Sequence, residues 1–136
     1  MVRAGLVLVL LFILIGLATT EQIIIRNVYG HMLTETTAII SMVNDYEDTH
    51  NPDDFEFGTA VKARVDALYD YWIKRENRMS ILIRHIDLAY VADSLIYARN
   101  FIHFDNKEEA MAGLARLEYF VRSYKTIFGV NGVNIL

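Results

Sequence analysis

From Ala4 to Ala18 the chain reads AGLVLVLLFILIGLA, without one polar side chain, and beyond it the apolar residues thin out into stripes. A helix rises about 1.5 Å per residue and a bilayer core needs about 20 apolar residues, with about 17 as the lower limit, so Val2 to Thr20 reaches across as a helix. The run predicts a transmembrane signal-anchor over residues 1–20. A competing reading is a cleaved secretory signal, since Gly16 and Ala18 supply the small residues that a cleavage site requires. The anchor is favoured because Ile23, Ile24 and Ile25 continue the apolar helical pattern directly after Glu21, with no extended stretch of small residues.

Four stripes follow. Ile25, Val28, Met32, Ile39, Met42 and Tyr46 recur at spacings of three and four, with Glu35 at the one missed position, and predict a first helix with a seam for a partner. The pattern stops in NDYEDTHNPDD, where Asn51 and Pro52 mark a turn and Asp53 or Asp54 is placed to cap a second helix. That helix carries Val61, Val65, Leu68, Trp72, Met79 and Leu82, interrupted by Arg75. Around His85 to Asp87 the stripe changes phase. Leu88, Val91, Leu95, Ala98 and Ile102 then form a third helix ending near Phe104. Asp105 followed by Glu108 is a capping-box pattern, and Ala110, Leu114, Leu117, Val121, Tyr124 and Phe128 make an unbroken heptad-like seam behind it. Gly129 is suited to closing the fourth helix, leaving residues 129–136 as a short tail.

The fold class predicted is therefore all-α. An N-terminal transmembrane helix continues into an antiparallel up-and-down bundle of about four helices over residues 21–128, the first two longer than the last two. In that topology the acidic turn from Asp45 to Asp54 is distal to the membrane, whereas Lys74 to Arg84 and the carboxyl end return toward it.

Composition agrees and removes several function classes. One proline and seven glycines in 136 residues leave long helices uninterrupted. There is no cysteine, hence no disulfide, thiolate nucleophile, thiolate-ligated zinc or lipid-modified cysteine. The net charge of −4, with both signs mixed along the chain, gives no nucleic-acid footprint. Arg3 before the apolar run and Glu21 after it favour a cytoplasmic N-terminus and an extracytoplasmic C-terminal domain in the cell membrane.

The later half also resembles a known family. Trp72, the ILIRH run ending at His85, Asp87 two residues on, Ser94 and Leu95, then FDNKEEAMAGLARL and the terminal Asn134-Ile135-Leu136 are similar in order and spacing to the domain-of-unknown-function family numbered 4363. These are small proteins with one N-terminal hydrophobic segment, mainly from Gram-positive bacteria, without an assigned activity. Ala89 departs from the pattern, where family members often carry a second acidic residue. The resemblance implies architecture and location, not a reaction, and marks Trp72, His85, Asp87, Ser94 and Leu95 as family-motif positions of unknown role.

No chemistry stands out. His31 with Glu35, or Glu47 with His50, offers two metal ligands on one helical face, fewer than a closed or catalytic site requires. Di-iron bundles need two Glu-x-x-His motifs and two further glutamates, and this chain has one such motif, beside Pro52. Asp45, Glu47, Asp48, Asp53, Asp54 and Glu56 lack the glycine and terminal glutamate of a calcium loop, and read as a capping and solubilising turn. Lys74, Arg75, Arg78 and Arg84 complement the end of the second helix dipole or, with the topology above, meet anionic headgroups. His85 and Asp87 are placed to cap backbone at a helix junction. Trp72, Tyr71, Tyr90, Tyr97, Tyr119 and Tyr124 lie on or beside the stripes and read as core. Motifs for phosphate loops, serine nucleophiles and zinc proteases are missing, so neither a cofactor nor catalysis is predicted.

The function expected is a non-catalytic, membrane-anchored module of the cell envelope that works through protein contacts, with a second copy of itself among the candidate partners and the bilayer held through residues 2–20. An alternative is an extracytoplasmic ligand-sensing bundle. Because only Met1 to Arg3 is expected on the cytoplasmic side, such a sensor would signal through a membrane partner.

Overall fold

The computed structural model describes residues 2–47 and 56–130. Among them run four helices and no strand: α1 (Val2–Glu47), α2 (Thr59–Leu82), α3 (His85–His103) and α4 (Lys107–Val130). Each packs on its neighbour in sequence and α4 closes the ring on α1. Cross-helix pairs set the direction and register. Arg64 of α2 meets Glu35 of α1 at 2.8 Å, Asp66 of α2 meets Arg99 of α3 at 2.6 Å, Tyr90 of α3 stacks on Phe120 of α4 at 5.1 Å, and Tyr124 of α4 lies 5.8 Å from Tyr29 of α1. All four pairings are antiparallel, as an up-and-down bundle requires.

The core is a heptad seam on every helix. Buried positions are Ile25, Tyr29, Met32, Thr36, Ile39 and Val43 on α1; Val61, Val65, Leu68, Trp72 and Met79 on α2; Leu88, Val91, Leu95, Ala98 and Ile102 on α3; Ala110, Leu114, Leu117, Val121 and Tyr124 on α4. On α1, α3 and α4 the steps alternate between three and four, the spacing of a coiled-coil seam, and α2 skips one such position between Trp72 and Met79. On α1 Val28 is buried as well, and the predicted stripe needs three corrections: Tyr29 joins the core, the gap at Glu35 is filled by buried Thr36, and Val43 goes to the core while Met42 is only half-buried. The side chain of Tyr46 lies outside the described residues.

At its N-terminal end α1 leaves this core. Every described residue from Gly5 to Ile24 is exposed, and Ile25 is the first buried one. That exposed run rises about 30 Å, the thickness of a bilayer's hydrocarbon core, so this helix is long and apolar enough to cross a membrane. The bundle therefore has a near end, next to the apolar run, with the α2–α3 turn and the end of α4. Its far end holds the end of α1, the start of α2 and the α3–α4 turn.

Several boundaries differ from the sequence pattern. Helix α2 starts at Thr59, later than the acidic turn suggested, and its N-cap is Gly58, whose carbonyl accepts from Val61 N at 3.0 Å. Asp53 and Asp54 lie outside the described residues. The first turn of α2 holds no acidic residue and the last no basic one, so its charges do not complement its dipole as expected, an effect confined to the terminal turns. Helix α4 has 24 residues, as many as α2, and includes Gly129 and Val130. Helix α4 thus runs through Gly129, which the sequence pattern placed at its close. Residues 131–136 lie outside the described residues.

Candidate functional site

Of the motif positions, Asp87 has the densest polar surroundings. It stands in the first turn of α3 and is 6% exposed. Arg84 donates from Nε to Oδ2 at 2.8 Å and from Nη2 to Oδ1 at 3.2 Å, and the Tyr124 hydroxyl donates to Oδ1 at 3.1 Å. Arg84 reaches Asp87 because it is the N-cap residue, extended at φ −59° and ψ 137°, which turns its side chain back over the first turn. Its carbonyl accepts from the Asp87 and Leu88 amides. The junction is thus held by backbone, and no side chain caps α3. Neither His85 nor Asp87 has the capping role expected of it.

Burial pushes the Tyr124 phenol up to about 12, with the hydrogen bond to Asp87 adding to the effect. The neighbouring Tyr29 phenol is also raised, mainly by burial and further by Tyr124 and Asp87. The Tyr29 hydroxyl is buried with no hydrogen-bond partner among the described residues, as are Thr36 Oγ1 and Trp72 Nε1. An unsatisfied buried group costs about 1–3 kcal/mol, so the core tolerates polar atoms on three of its seam positions.

The other motif positions do not join Asp87. His85 is exposed, and no hydrogen bond or ion pair links it to Asp87 among the described residues. Ser94 is buried, and its hydroxyl donates to its own helix at Tyr90 O, 2.7 Å away. Trp72 and Leu95 are fully buried. The Asp66–Arg99 register puts Trp72 level with Ser94 and Leu95, so these three make one packing layer. Among the tyrosines, Tyr124 is core and Tyr71 and Tyr97 are half-buried, whereas Tyr90 at 45% and Tyr119 at 67% exposure are surface residues, contrary to the pattern.

Each member of the candidate metal pair has another partner. Glu35 binds Arg64, whose guanidinium holds its carboxyl below the usual range, and the His31 ring packs on Tyr71 at 4.1 Å. His50 lies outside the described residues, and among those described no three His, Cys, Asp or Glu converge. A second polar cluster, at the far end, was not evident from spacing. Asp105 has a positive φ of 55°, and its Oδ1 accepts from the Phe57 amide at 2.8 Å and from Lys62 at 2.9 Å. Asn106, not Asp105, caps α4, its Oδ1 accepting from Glu109 N at 3.1 Å. The signal available was the Asp-Asn pair itself, two residues that tolerate the left-handed region and supply a capping oxygen.

A shallow groove between α1 and α4, lined by Leu33, Thr34, Thr37, Ala38, Ser41 and Arg122, is open to solvent. Its Thr34 and Thr37 hydroxyls donate to carbonyls of α1 at 3.0 and 2.8 Å. The Asp87 cluster ties the start of α3 to α4, and the Asp105 cluster ties the start of α2 to the α3–α4 turn. Comparison with family models, curated proteins and solved structures finds no match for this chain.

Proposed function

We propose that this chain is a non-catalytic, membrane-anchored helical protein, a structural or accessory component of a bacterial cell envelope that acts through protein contacts. Its N-terminus is cytoplasmic, its bundle extracytoplasmic, and it is a member of the domain-of-unknown-function family 4363. One observation carries this: the apolar run from Gly5 to Ile24 stands clear of a bundle that has already buried its own four seams. The cost of leaving such a run in water is removed by a bilayer. Support for a role in contacts rather than catalysis comes from Asp87, whose carboxylate is committed to Arg84 and Tyr124.

Proteolysis of intact cells, read at a C-terminal tag together with the mass of the membrane-bound chain, tests this. A full-length chain trimmed from outside is the expected result. A soluble chain beginning near Thr19 would replace the anchor by a cleaved signal, and full protection would reverse the topology. Crosslinking in cells before detergent extraction then separates the roles: envelope-assembly proteins are expected, and a receptor subunit would favour the sensing alternative. Sensing has less support, since the α1–α4 groove is open and its two threonines are satisfied within their own helix.

A further inference from the structure

We propose that the α2–α3 turn is a second membrane contact, with Ile81 and Ile86 in the interfacial layer of the bilayer that α1 crosses and Lys74 and Arg78 against anionic headgroups. This contact presupposes the anchor. It does not depend on which side of the membrane the bundle occupies.

The level of the turn comes from the α1–α2 register. Tyr71 packs on His31 at 4.1 Å. From Tyr71 to Ile81 the chain advances ten residues, about 15 Å, which along antiparallel α1 leads from His31 to Glu21. Glu21 is the first charged residue after the apolar run, separated from Ala18 by Thr19 and Thr20, so the turn reaches the plane where the membrane segment ends. The end of α4 approaches the same plane: Tyr124 lies against Tyr29, which sets Ile127 beside Arg26.

The surface at that level is unusual for water. Ile81 is 84% exposed and Ile86 56%, flanking a turn whose other apolar member, Ile83, is buried. Residues 74–86 carry Lys74, Arg75, Arg78 and Arg84 against the single acid Glu76. Arg84 is bound to Asp87, and Arg75 lies over the Tyr71 ring at 3.6 Å. Lys74 and Arg78 are exposed and have no ion pair among the described residues. They also lie before the last turn of α2, where a helix dipole gives little reason for them. Exposed isoleucines bounded by basic residues, held level with the boundary of the chain's own apolar run, fit a bilayer interface with negative surface charge.

The full chain lacks cysteine, so single labels are clean. Ile81→Cys, Ile86→Cys, Leu11→Cys and Phe104→Cys would each carry an environment-sensitive fluorophore in vesicles of phosphatidylcholine, with and without phosphatidylglycerol. Phe104, 77% exposed at the far end, is the aqueous control. The expected result is quenching of the labels at 11, 81 and 86 by lipid-borne nitroxides, with aqueous iodide several-fold more effective at 104. Contact at 86 should strengthen with phosphatidylglycerol and weaken again in Lys74→Gln/Arg78→Gln. Labels at 81 and 86 open to iodide while 11 is in lipid would overturn the contact and leave the anchor standing. A label at 11 in water would remove both. Labels at 81 and 86 shielded from iodide but untouched by lipid nitroxides would also overturn it, pointing to a protein partner or a second copy. Contact indifferent to phosphatidylglycerol would overturn the headgroup assignment.

Discussion

At Gly113 α4 approaches the backbone of α3 closely. A Cβ built there would lie 2.8 Å from both Cα and N of Ala98 and 3.0 Å from its Cβ, so the obstacle is the α3 backbone, which cannot swing aside as a side chain does. Restoring ordinary contact at 3.4 Å means parting α3 and α4 by about 0.6 Å along a packed seam, a change felt by every contact around it. Overpacking of this kind costs about 1–3 kcal/mol. Against it stands the helix propensity of alanine, which favours the variant by about 1 kcal/mol. Gly113→Ala should therefore destabilise by up to about 2 kcal/mol, and Gly113→Val by more. Gly30 of α1 has nothing within 4 Å of its virtual Cβ, so Gly30→Ala keeps the propensity gain and should stabilise by about 0.5–1 kcal/mol. Trp72, the single tryptophan and fully buried, reports unfolding of the full chain in detergent through the shift of its emission under denaturant. Opposite signs are expected for the two glycines. Equal stabilisation by both alanines would refute the close α3–α4 crossing and the register that pairs Ala98 with Gly113.

At the far end, Asp105→Ala should cost about 2–4 kcal/mol, since it removes a charge-assisted hydrogen bond and leaves a β-carbon in the left-handed region. Asp105→Asn, which keeps an acceptor and tolerates that backbone, should cost about 1 kcal/mol or less, and equal losses would contradict the geometry. Asp87→Leu should lose about 1.5–3 kcal/mol through its bond to Tyr124, with Arg84 still hydrated because its side chain is 79% exposed. The raised phenol of Tyr124 stabilises the fold fully below its ordinary value of 10, and that contribution disappears as pH climbs through about 12. Thermal scans should show this alkaline decline shrinking in Tyr124→Phe while Tyr29 maintains a remainder. Finally, a chain beginning at Glu21 should keep the helicity and Trp72 emission of the full chain, because nothing from Gly5 to Ile24 is buried in the bundle. A truncated chain that unfolds would show that the apolar run contributes to packing.

Much of the architecture was legible because heptad spacing is a property of sequence alone. The seams of α2, α3 and α4 and the emergence of α1 from its apolar run follow from where Leu, Val and Ile recur. Thr36 and Tyr29 were not legible as core, since a polar atom at a seam position reads as an interruption until the packing around it is known. Capping failed for a different reason. Asp105 and Asn106 are both competent caps, and only the position of the Phe57 amide beside Asp105 decides that the aspartate turns toward α2 and the asparagine toward α4. Gly113 sits beside the seam residue Leu114, where spacing gives no hint of how near α3 will come. The exposed sides of Tyr90 and Tyr119 depend on which neighbours flank α3 and α4, information absent from a single stripe.

With the anchor and the turn contact proposed above, one helix works in two surroundings, and that reading gives the near end a mechanical sense. From Gly5 to Ala18 α1 is apolar on all sides, and it stays exposed as far as Ile24; from Ile25 it buries one stripe and exposes residues such as Arg26 and Asn27. No proline lies within Val2–Glu47, so the change of surroundings happens without a break in the rod, and whatever fixes the apolar run also fixes the tilt of the bundle. A single rod would leave that bundle free to roll about the α1 axis. The α2–α3 turn, displaced sideways from α1 and level with Glu21, is the element positioned to stop the roll, which gives its exposed isoleucines a mechanical role. Asp87 then matters by where it stands: it clamps Arg84 at the base of that turn and joins the start of α3 to Tyr124, so a force on the turn is passed into the core instead of opening the junction.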